Sequence, residues 1–147
     1  MAQPAVAGTY DPPIATFLAH ITVRPGHEAA FEQAARRLWH RSHADEPELV
    51  RYEYWRGAEP RTYSTMASFR SYDAFIAHQV SDHHLAALPE LRATIESIRI
   101  EWVDPVAGAS DLAPTEPGTA DAHDTELVAD YRRRYPLDMP DWWLALR

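Results

Sequence analysis

The hydrophobic pattern of residues 14–43 predicts a strand followed by a helix. Apolar side chains occupy alternate positions of the strand, which spans residues 14–24, at Phe17, Ala19, Ile21 and Val23. Leu18 lies on the opposite face, so both faces of this strand are expected to be covered. From residue 27 to residue 43 the apolar side chains recur at helical spacing, at Ala30, Phe31, Ala34, Ala35, Leu38 and Trp39.

The next residues predict a β-hairpin and a second helical stretch. Residues 49–56 and 61–69 alternate as strands on either side of a short turn. Ser71 or Asp73 is expected to cap the helix that follows. Pro89 is expected to interrupt the helical stretch, since proline lacks the amide hydrogen that a helix interior uses.

A closing strand at residues 98–103 completes the predicted domain. The order strand, helix, strand, strand, helix, strand predicts an α+β fold. Its form is a ferredoxin-like β-α-β-β-α-β unit, with four antiparallel strands and the helices on one face. This unit is expected to span residues 14–105.

The composition changes after Pro105. Residues 104–130 carry seven acidic side chains and no arginine, which predicts a flexible acidic linker. Beyond the linker, Trp142 and Trp143 mark an aromatic tail that is expected to dock onto the protein. Residues 106–147 are therefore predicted to be a C-terminal extension, and the proline-containing residues 1–13 a flexible arm.

Composition and charge exclude several classes of function. The chain has 147 residues and a net charge of −8, so it lacks the basic face that nucleic-acid binding requires. It contains no cysteine, which excludes disulfides, thiolate nucleophiles and cysteine-bound metals. The sequence shows neither a signal-like start nor a membrane-spanning apolar run, so a cytoplasmic protein without membrane contact is expected.

Three motifs together resemble those of a known family. They are the strand IATFLAHITVRPG, the sequence SYDAF after Phe69, and the segment AFIAHQVSDHH. With the closing IRIEWVDP, they make the predicted domain resemble the antibiotic biosynthesis monooxygenase superfamily, small dimeric α/β-barrel proteins that include quinol and anthrone monooxygenases. The family's Ala-x-x-x-His-x-x-x-x-His motif is matched by His78 and His83. Its usual Glu-x-Trp is replaced here by Ala67 and Phe69.

The resemblance implies a homodimer in which two sheets pack face to face as a dimeric α/β barrel. The sequence favours the same assembly, because Phe17 and Ile21, with Tyr54 or Trp55, are expected to leave an apolar patch that a monomer does not normally expose.

The resemblance also implies an activity. The implied activity is that of a cofactor-independent monooxygenase of secondary metabolism, which oxidises a phenolic, quinol or anthrone-type, polyketide-like aromatic substrate with dioxygen. A polyketide cyclase or isomerase on the same fold stays open. So do a haem-binding or haem-degrading protein, with iron on His78 or His83, and a non-catalytic dimeric module that binds a partner.

Four side chains are candidates for catalysis. Histidine suits the role of base because its ordinary pKa lies near neutrality. His20, in the middle of the first strand, is the first candidate for base or anion stabiliser. Tyr63 has small neighbours and is expected to orient the substrate with its hydroxyl. His78 and His83 are expected at the mouth of the pocket.

The number of aromatic side chains favours a flat slot for the substrate. Its predicted walls are Phe17, Trp39, Phe69, Tyr72 and Phe75. Metal-binding sets can be drawn from His78 with His83, or from His40 and His43 with Glu46. Because a chain with eight histidines produces such sets by chance, no metal site is predicted.

Overall fold

The computed structural model describes residues 14–118 and 122–147, so the arm predicted at residues 1–13 lies outside the described residues. Its sheet has four antiparallel strands in the order β2-β3-β1-β4. The strands are β1 (Ala15–Val23), β2 (Leu49–Arg56), β3 (Thr62–Phe69) and β4 (Ile95–Val103). This order confirms the predicted α+β, ferredoxin-like unit, and the sheet is open rather than closed into a barrel.

Helices connect the strands and follow the sheet. They are α1 (Glu28–Asp45), α2 (Tyr72–Gln79), α3 (Asp82–Thr94), α4 (Glu126–Arg134) and α5 (Asp141–Ala145). Ser71 caps α2 by accepting a hydrogen bond from the amide of Ala74 at 3.0 Å. Ser81 caps α3 in the same way, by accepting a hydrogen bond from the amide of His84, as the sequence around Ser81 and Asp82 predicts. No helix within the described ranges is long and apolar enough to cross a membrane.

Proline does not interrupt α3. Pro89 lies inside this helix, which continues to Thr94. The expectation of a break was wrong because a single missing amide costs one hydrogen bond, and the Ser81 cap and the contact of α3 with α1 hold the helix on both sides of it.

The two faces of β1 differ from the prediction. Phe17 and Ile21 are 4% and 5% exposed, because the helices of the same chain cover their face of the sheet. They are therefore not part of a patch open to a second copy. The other face carries Leu18 and its cross-strand partner Met66, both half-buried. His20 lies next to them on this open face.

The segment after β4 packs onto the domain, in contrast to the flexible linker that its composition suggests. Thr115 is fully buried. Its hydroxyl donates to the carbonyl of Val103 at 2.6 Å and accepts a hydrogen bond from the amide of Thr16. Arg147 also pairs with Asp104 at 2.7 Å. These partners lie far apart in the sequence, so composition gives no sign of them.

Buried residues of the tail that precede the two tryptophans dock onto the domain. Tyr131 and Leu137 are buried, and the Tyr72 hydroxyl donates to the carbonyl of Tyr135 at 2.7 Å. Trp142 is instead 65% exposed.

Candidate functional site

A groove of about 500 Å³ lies between α1 and the edge strand β2. It is called the α1–β2 groove here, and its lining is Phe31, Glu32, Ala35, Arg36, Trp39, His40, Tyr54, Trp55, Arg56 and Tyr63. Helical spacing brings Phe31, Ala35 and Trp39 to one side of α1 at successive turns. Ala35 lies between the rings of Phe31 and Trp39, and its small side chain leaves room in the groove. The groove thus combines five aromatic rings with charged groups.

A carboxylate with two donors lies at one end of the groove. The Tyr63 hydroxyl donates to Glu32 Oε2 at 2.9 Å. Arg56 donates to both carboxylate oxygens, from Nη2 to Oε1 at 2.7 Å and from Nε to Oε2 at 3.1 Å. The hydrogen bonds from Arg56 and Tyr63 hold the pKa of Glu32 below its usual value. Burial and the adjacent Glu32 raise the pKa of Tyr63 to about 12.

The network of Glu32, Arg56 and Tyr63 can accept a hydrogen bond from a bound molecule. Because Glu32 is ionised and Tyr63 is protonated at neutral pH, the tyrosine hydrogen is committed to the carboxylate. The phenol oxygen of Tyr63 is left as an acceptor for a hydroxyl of a bound molecule. The ring of Tyr63 is itself held against that of Phe31, with centroids 4.7 Å apart.

A second polar cluster lies at the ends of three helices. Glu46 follows α1, His78 is in the last turn of α2, and His83 is in the first turn of α3. His78 Nδ1 is 2.9 Å from Glu46 Oε2, and His83 Nε2 is 2.7 Å from the same oxygen. The turn at Ser81 between α2 and α3 brings the two imidazoles to one carboxylate.

Burial and the two histidines act in opposite directions on the pKa of Glu46. The side chains of His78, His83 and Glu46 are only 3%, 10% and 12% exposed. Burial acts to raise the pKa of Glu46, but the hydrogen bonds and charge of His78 and the hydrogen bond of His83 outweigh it and lower the pKa to about 2. The carboxylate is therefore an anion throughout the physiological range.

One buried and one half-buried tyrosine lie between the groove and the cluster. The hydroxyls of Tyr52 and Tyr54 are 2.6 Å apart. Tyr54 lines the groove, while the ring of Tyr52 contacts that of His78 with centroids 5.6 Å apart. Burial raises the pKa of Tyr54 to about 12 and that of Tyr52 well above its ordinary value. Both phenols are thus neutral.

The structure brings together some of the predicted site residues and separates others. Tyr63 and Trp39 both line the groove, whereas His78 and His83 meet at Glu46. His20 lies on the opposite face of the sheet from Tyr63, with its side chain 42% exposed and its Nε2 3.0 Å from Glu101 Oε2.

The remaining predicted wall residues form part of the core. They are Phe17, Phe69, Tyr72 and Phe75, each 5% exposed or less. Their rings pack against one another, with Phe17 and Phe75 centroids 5.3 Å apart, and none of the four lines the groove. In this chain, Phe69 fills the space next to Phe17 and His78.

Sequence reasoning missed Glu32 and the grouping of Glu46. The available signal for Glu32 was an acidic residue beside Phe31 on the apolar side of α1. Arg56 is directly opposite Tyr63 in the hairpin register, which a correctly aligned hairpin would have indicated. Glu46 was grouped with His40 and His43, but the structure places it against His78 and His83, which follow it by 32 and 37 positions in the sequence.

Known proteins match both the sequence and the fold. The profile of the antibiotic biosynthesis monooxygenase family matches residues 15–90, more than half of the chain. A candidate antibiotic biosynthesis monooxygenase from Caulobacter crescentus is similar in structure with a TM-score of 0.61 and 27% identity. The similarity covers 66% of this chain and 93% of that one. No curated protein matches the chain.

More distant relatives share the fold alone. A protein from Pseudomonas aeruginosa has 24% identity and a TM-score of 0.60, with 65% of this chain and 97% of that one covered. A protein from Mycobacterium tuberculosis has 17% identity and a TM-score of 0.60, with 67% and 100% covered.

Proposed function

The chain belongs to the antibiotic biosynthesis monooxygenase family, and on this basis we propose that it is a cofactor-independent monooxygenase acting on a phenolic, quinol or anthrone-type substrate. The substrate lies in the α1–β2 groove. The observation that carries this proposal is the Glu32–Tyr63–Arg56 network at the end of a groove with five aromatic rings. A flat, apolar ring with a polar substituent is complementary to such a groove.

The reaction uses the electrons of the substrate itself. Dioxygen reacts with an electron-rich phenolate or carbanion, so the protein has to favour the anion and keep bulk water away. One oxygen atom enters the substrate and the other leaves as water. In the case of an anthrone, a methylene group becomes a carbonyl group, and its two hydrogens leave in that water molecule.

The groove supplies a group for each part of this reaction. Tyr63 accepts a hydrogen bond from a substrate hydroxyl and fixes its orientation. The guanidinium groups of Arg36 and Arg56 stabilise the negative charge that develops on the substrate oxygen. His40, which lines the same groove, takes the role of base that the sequence analysis gave to His20.

Oxygen uptake by the purified protein tests the proposal, with hydroquinones and anthrones as probes. We expect Tyr63→Phe to lower kcat/KM by about 10- to 100-fold, because the substrate loses its orienting partner. Tyr135→Phe is the matched control, since it removes a phenol outside the groove, and it should retain activity.

Other outcomes separate the alternatives. If His20→Ala abolishes uptake while Tyr63→Phe does not, the chemistry lies on the open face of the sheet and the groove proposal is wrong. Turnover without oxygen consumption would identify a cyclase or isomerase. Uptake that requires added hemin, with a Soret band lost in His78→Ala or His83→Ala, would identify a haem protein.

The proposal includes a homodimer formed through the open face of the sheet. Leu18 and Met66 are cross-strand partners at the centre of that face. His20 and Glu101 flank Leu18 there. A second sheet packed over this face would remove the two apolar side chains from water, as the family resemblance implies.

A further inference from the structure

We propose that Glu46, His78 and His83 bind a divalent transition-metal ion of the Zn²⁺ type. Two imidazole nitrogens and one carboxylate oxygen form the donor set that such ions use in sites with an open coordination position. One ligand atom from each residue lies within 4.8 Å of the others. The site is separate from the α1–β2 groove, so it does not rest on the proposed monooxygenase activity.

The distances fit neighbouring ligands around one ion. His78 Nδ1 and His83 Nε2 lie 2.9 Å and 2.7 Å from Glu46 Oε2. Ligand atoms about 2.1 Å from a tetrahedrally coordinated ion are about 3.4 Å apart, so each nitrogen has to move away from Glu46 Oε2 by roughly 0.5 to 0.7 Å. An ion can therefore enter with small side-chain movements, each ring keeping its proton on the nitrogen that faces away.

The charge of the surroundings also favours a cation. A cavity of about 390 Å³ leads to Glu46 and His83, and its lining includes the acidic residues Asp45, Glu48 and Asp82. Arg41 lines the same cavity, but it is paired with Asp45 at 2.9 Å. The carboxylate of Glu46 is only 12% exposed, so a bound cation would compensate its buried charge.

The site has both support and access. The hydroxyls of Ser42 and Ser81 lie 3.4 Å and 3.3 Å from His83 Nε2, and they would release this nitrogen when it binds the ion. The ligands come from three helix ends, which fixes their backbones. Three protein ligands leave at least one coordination position for water or a small oxygen ligand that enters from the cavity.

Metal titration of the full chain, with any affinity tag removed and after treatment with a chelator, tests the site. The probes are Zn²⁺, measured by elemental analysis after dialysis, and Co²⁺, measured by its visible absorption. We expect one ion per chain. Glu46→Gln and His83→Gln should weaken binding by more than about tenfold. His43→Gln, which removes an exposed histidine of α1, is the matched control and should bind as the wild type does.

A wild-type protein that binds no stoichiometric metal overturns the inference, as does equal binding by Glu46→Gln, His83→Gln and the wild type. Nuclear magnetic resonance of the histidine rings in the wild type covers the case in which the variants fail to fold. Zn²⁺ should then shift the ring signals of His78 and His83. Shifts confined to other histidines also contradict the site.

Discussion

At the residue scale, Glu32 determines the chemistry of the α1–β2 groove. It is a carboxylate on the side of α1 that faces β2, and it meets Arg56 and Tyr63 from the hairpin. Without these donors, a carboxylate at this position would lose hydration with little in return. With them, it fixes the Tyr63 hydroxyl and neutralises part of the charge of Arg56, so one residue organises the polar end of the groove.

Acid sensitivity should reveal this network. Arg56 and Tyr63 lower the pKa of Glu32 from its ordinary value of 4.5, so the folded protein binds this proton less tightly than the unfolded chain. The stability from Glu32 is therefore complete above its ordinary pKa and is lost as the pH falls through the lowered value. We expect the free energy of unfolding to fall less steeply with acidification in Glu32→Gln than in the wild type.

Urea unfolding from neutral to acidic pH measures this difference. Glu59→Gln, which removes an exposed carboxylate of the hairpin turn, is the matched control and should keep the wild-type slope. Parallel slopes for Glu32→Gln and the wild type would show that the Arg56 and Tyr63 contacts add no stability to the ionised form.

The sequence could indicate a site residue only where the signal lies close to that residue along the chain. Tyr63 was recognisable because its sequence neighbours are small. Glu32 was not, because its donors Arg56 and Tyr63 are 24 and 31 positions away, and only the packing of the hairpin on α1 joins them. Histidine spacing likewise identified His78 and His83 but not Glu46, which approaches them from another element.

At the scale of elements, α3 shows that local propensity and the surrounding structure can disagree. Pro89 is exposed and lies in the interior of this helix. Its ring removes the amide that would otherwise donate to the carbonyl of Leu85. The Ser81 cap and the contacts with α1 and β4 are sufficient to maintain the helix.

Pro89→Ala should therefore stabilise the protein. The alanine restores a hydrogen bond and removes a steric conflict in the helix, so we expect the free energy of unfolding to rise by about 1 to 3 kcal/mol. Thermal unfolding followed by circular dichroism measures it. Ala86→Gly, at an exposed position of the same helix, should lower stability. A decrease in stability for Pro89→Ala would mean that α3 is bent around the proline in a way the alanine cannot adopt.

Elements that depend on local signals were predicted well, and those that depend on pairing were not. The hairpin and the Ser71 cap follow from short-range patterns. The start of β4 was placed at residue 98, but the strand begins at Ile95 because Ile95 and Ser97 pair with Val23 and Thr22 of β1. A residue that joins a strand only because it pairs with a neighbouring strand has no strand pattern in its own sequence segment.

At the scale of the whole molecule, helices cover one face of the sheet, and the other face is open around Leu18, Met66 and His20. The order of elements was enough to predict the fold. It was not enough to predict which side of β1 is open, nor that Thr115 bonds to Thr16 across 99 positions. The open side of β1 and the Thr115–Thr16 hydrogen bond both depend on contacts between residues that are far apart in the sequence.

The open face makes the proposed dimer testable. We expect the wild-type protein to have the mass of a dimer by light scattering, and Met66→Glu to have that of a monomer, because it buries a charge at the centre of the interface. Val106→Glu adds the same charge at a position that is 73% exposed and should leave the dimer intact. A monomeric wild type, or a dimeric Met66→Glu that is folded, would contradict the proposal.

The order of the strands has another consequence. Among the residues that the structure describes, β2 and β4 are the outermost strands of the sheet, so each has one row of backbone groups without a partner strand there. Such rows are the templates on which cross-β aggregates grow. On β4, the exposed side chains Glu96, Arg99 and Glu101 alternate in charge, and an incoming strand would have to desolvate them. The charged side chains along β4 thus disfavour the growth of fibrils from this edge of the sheet.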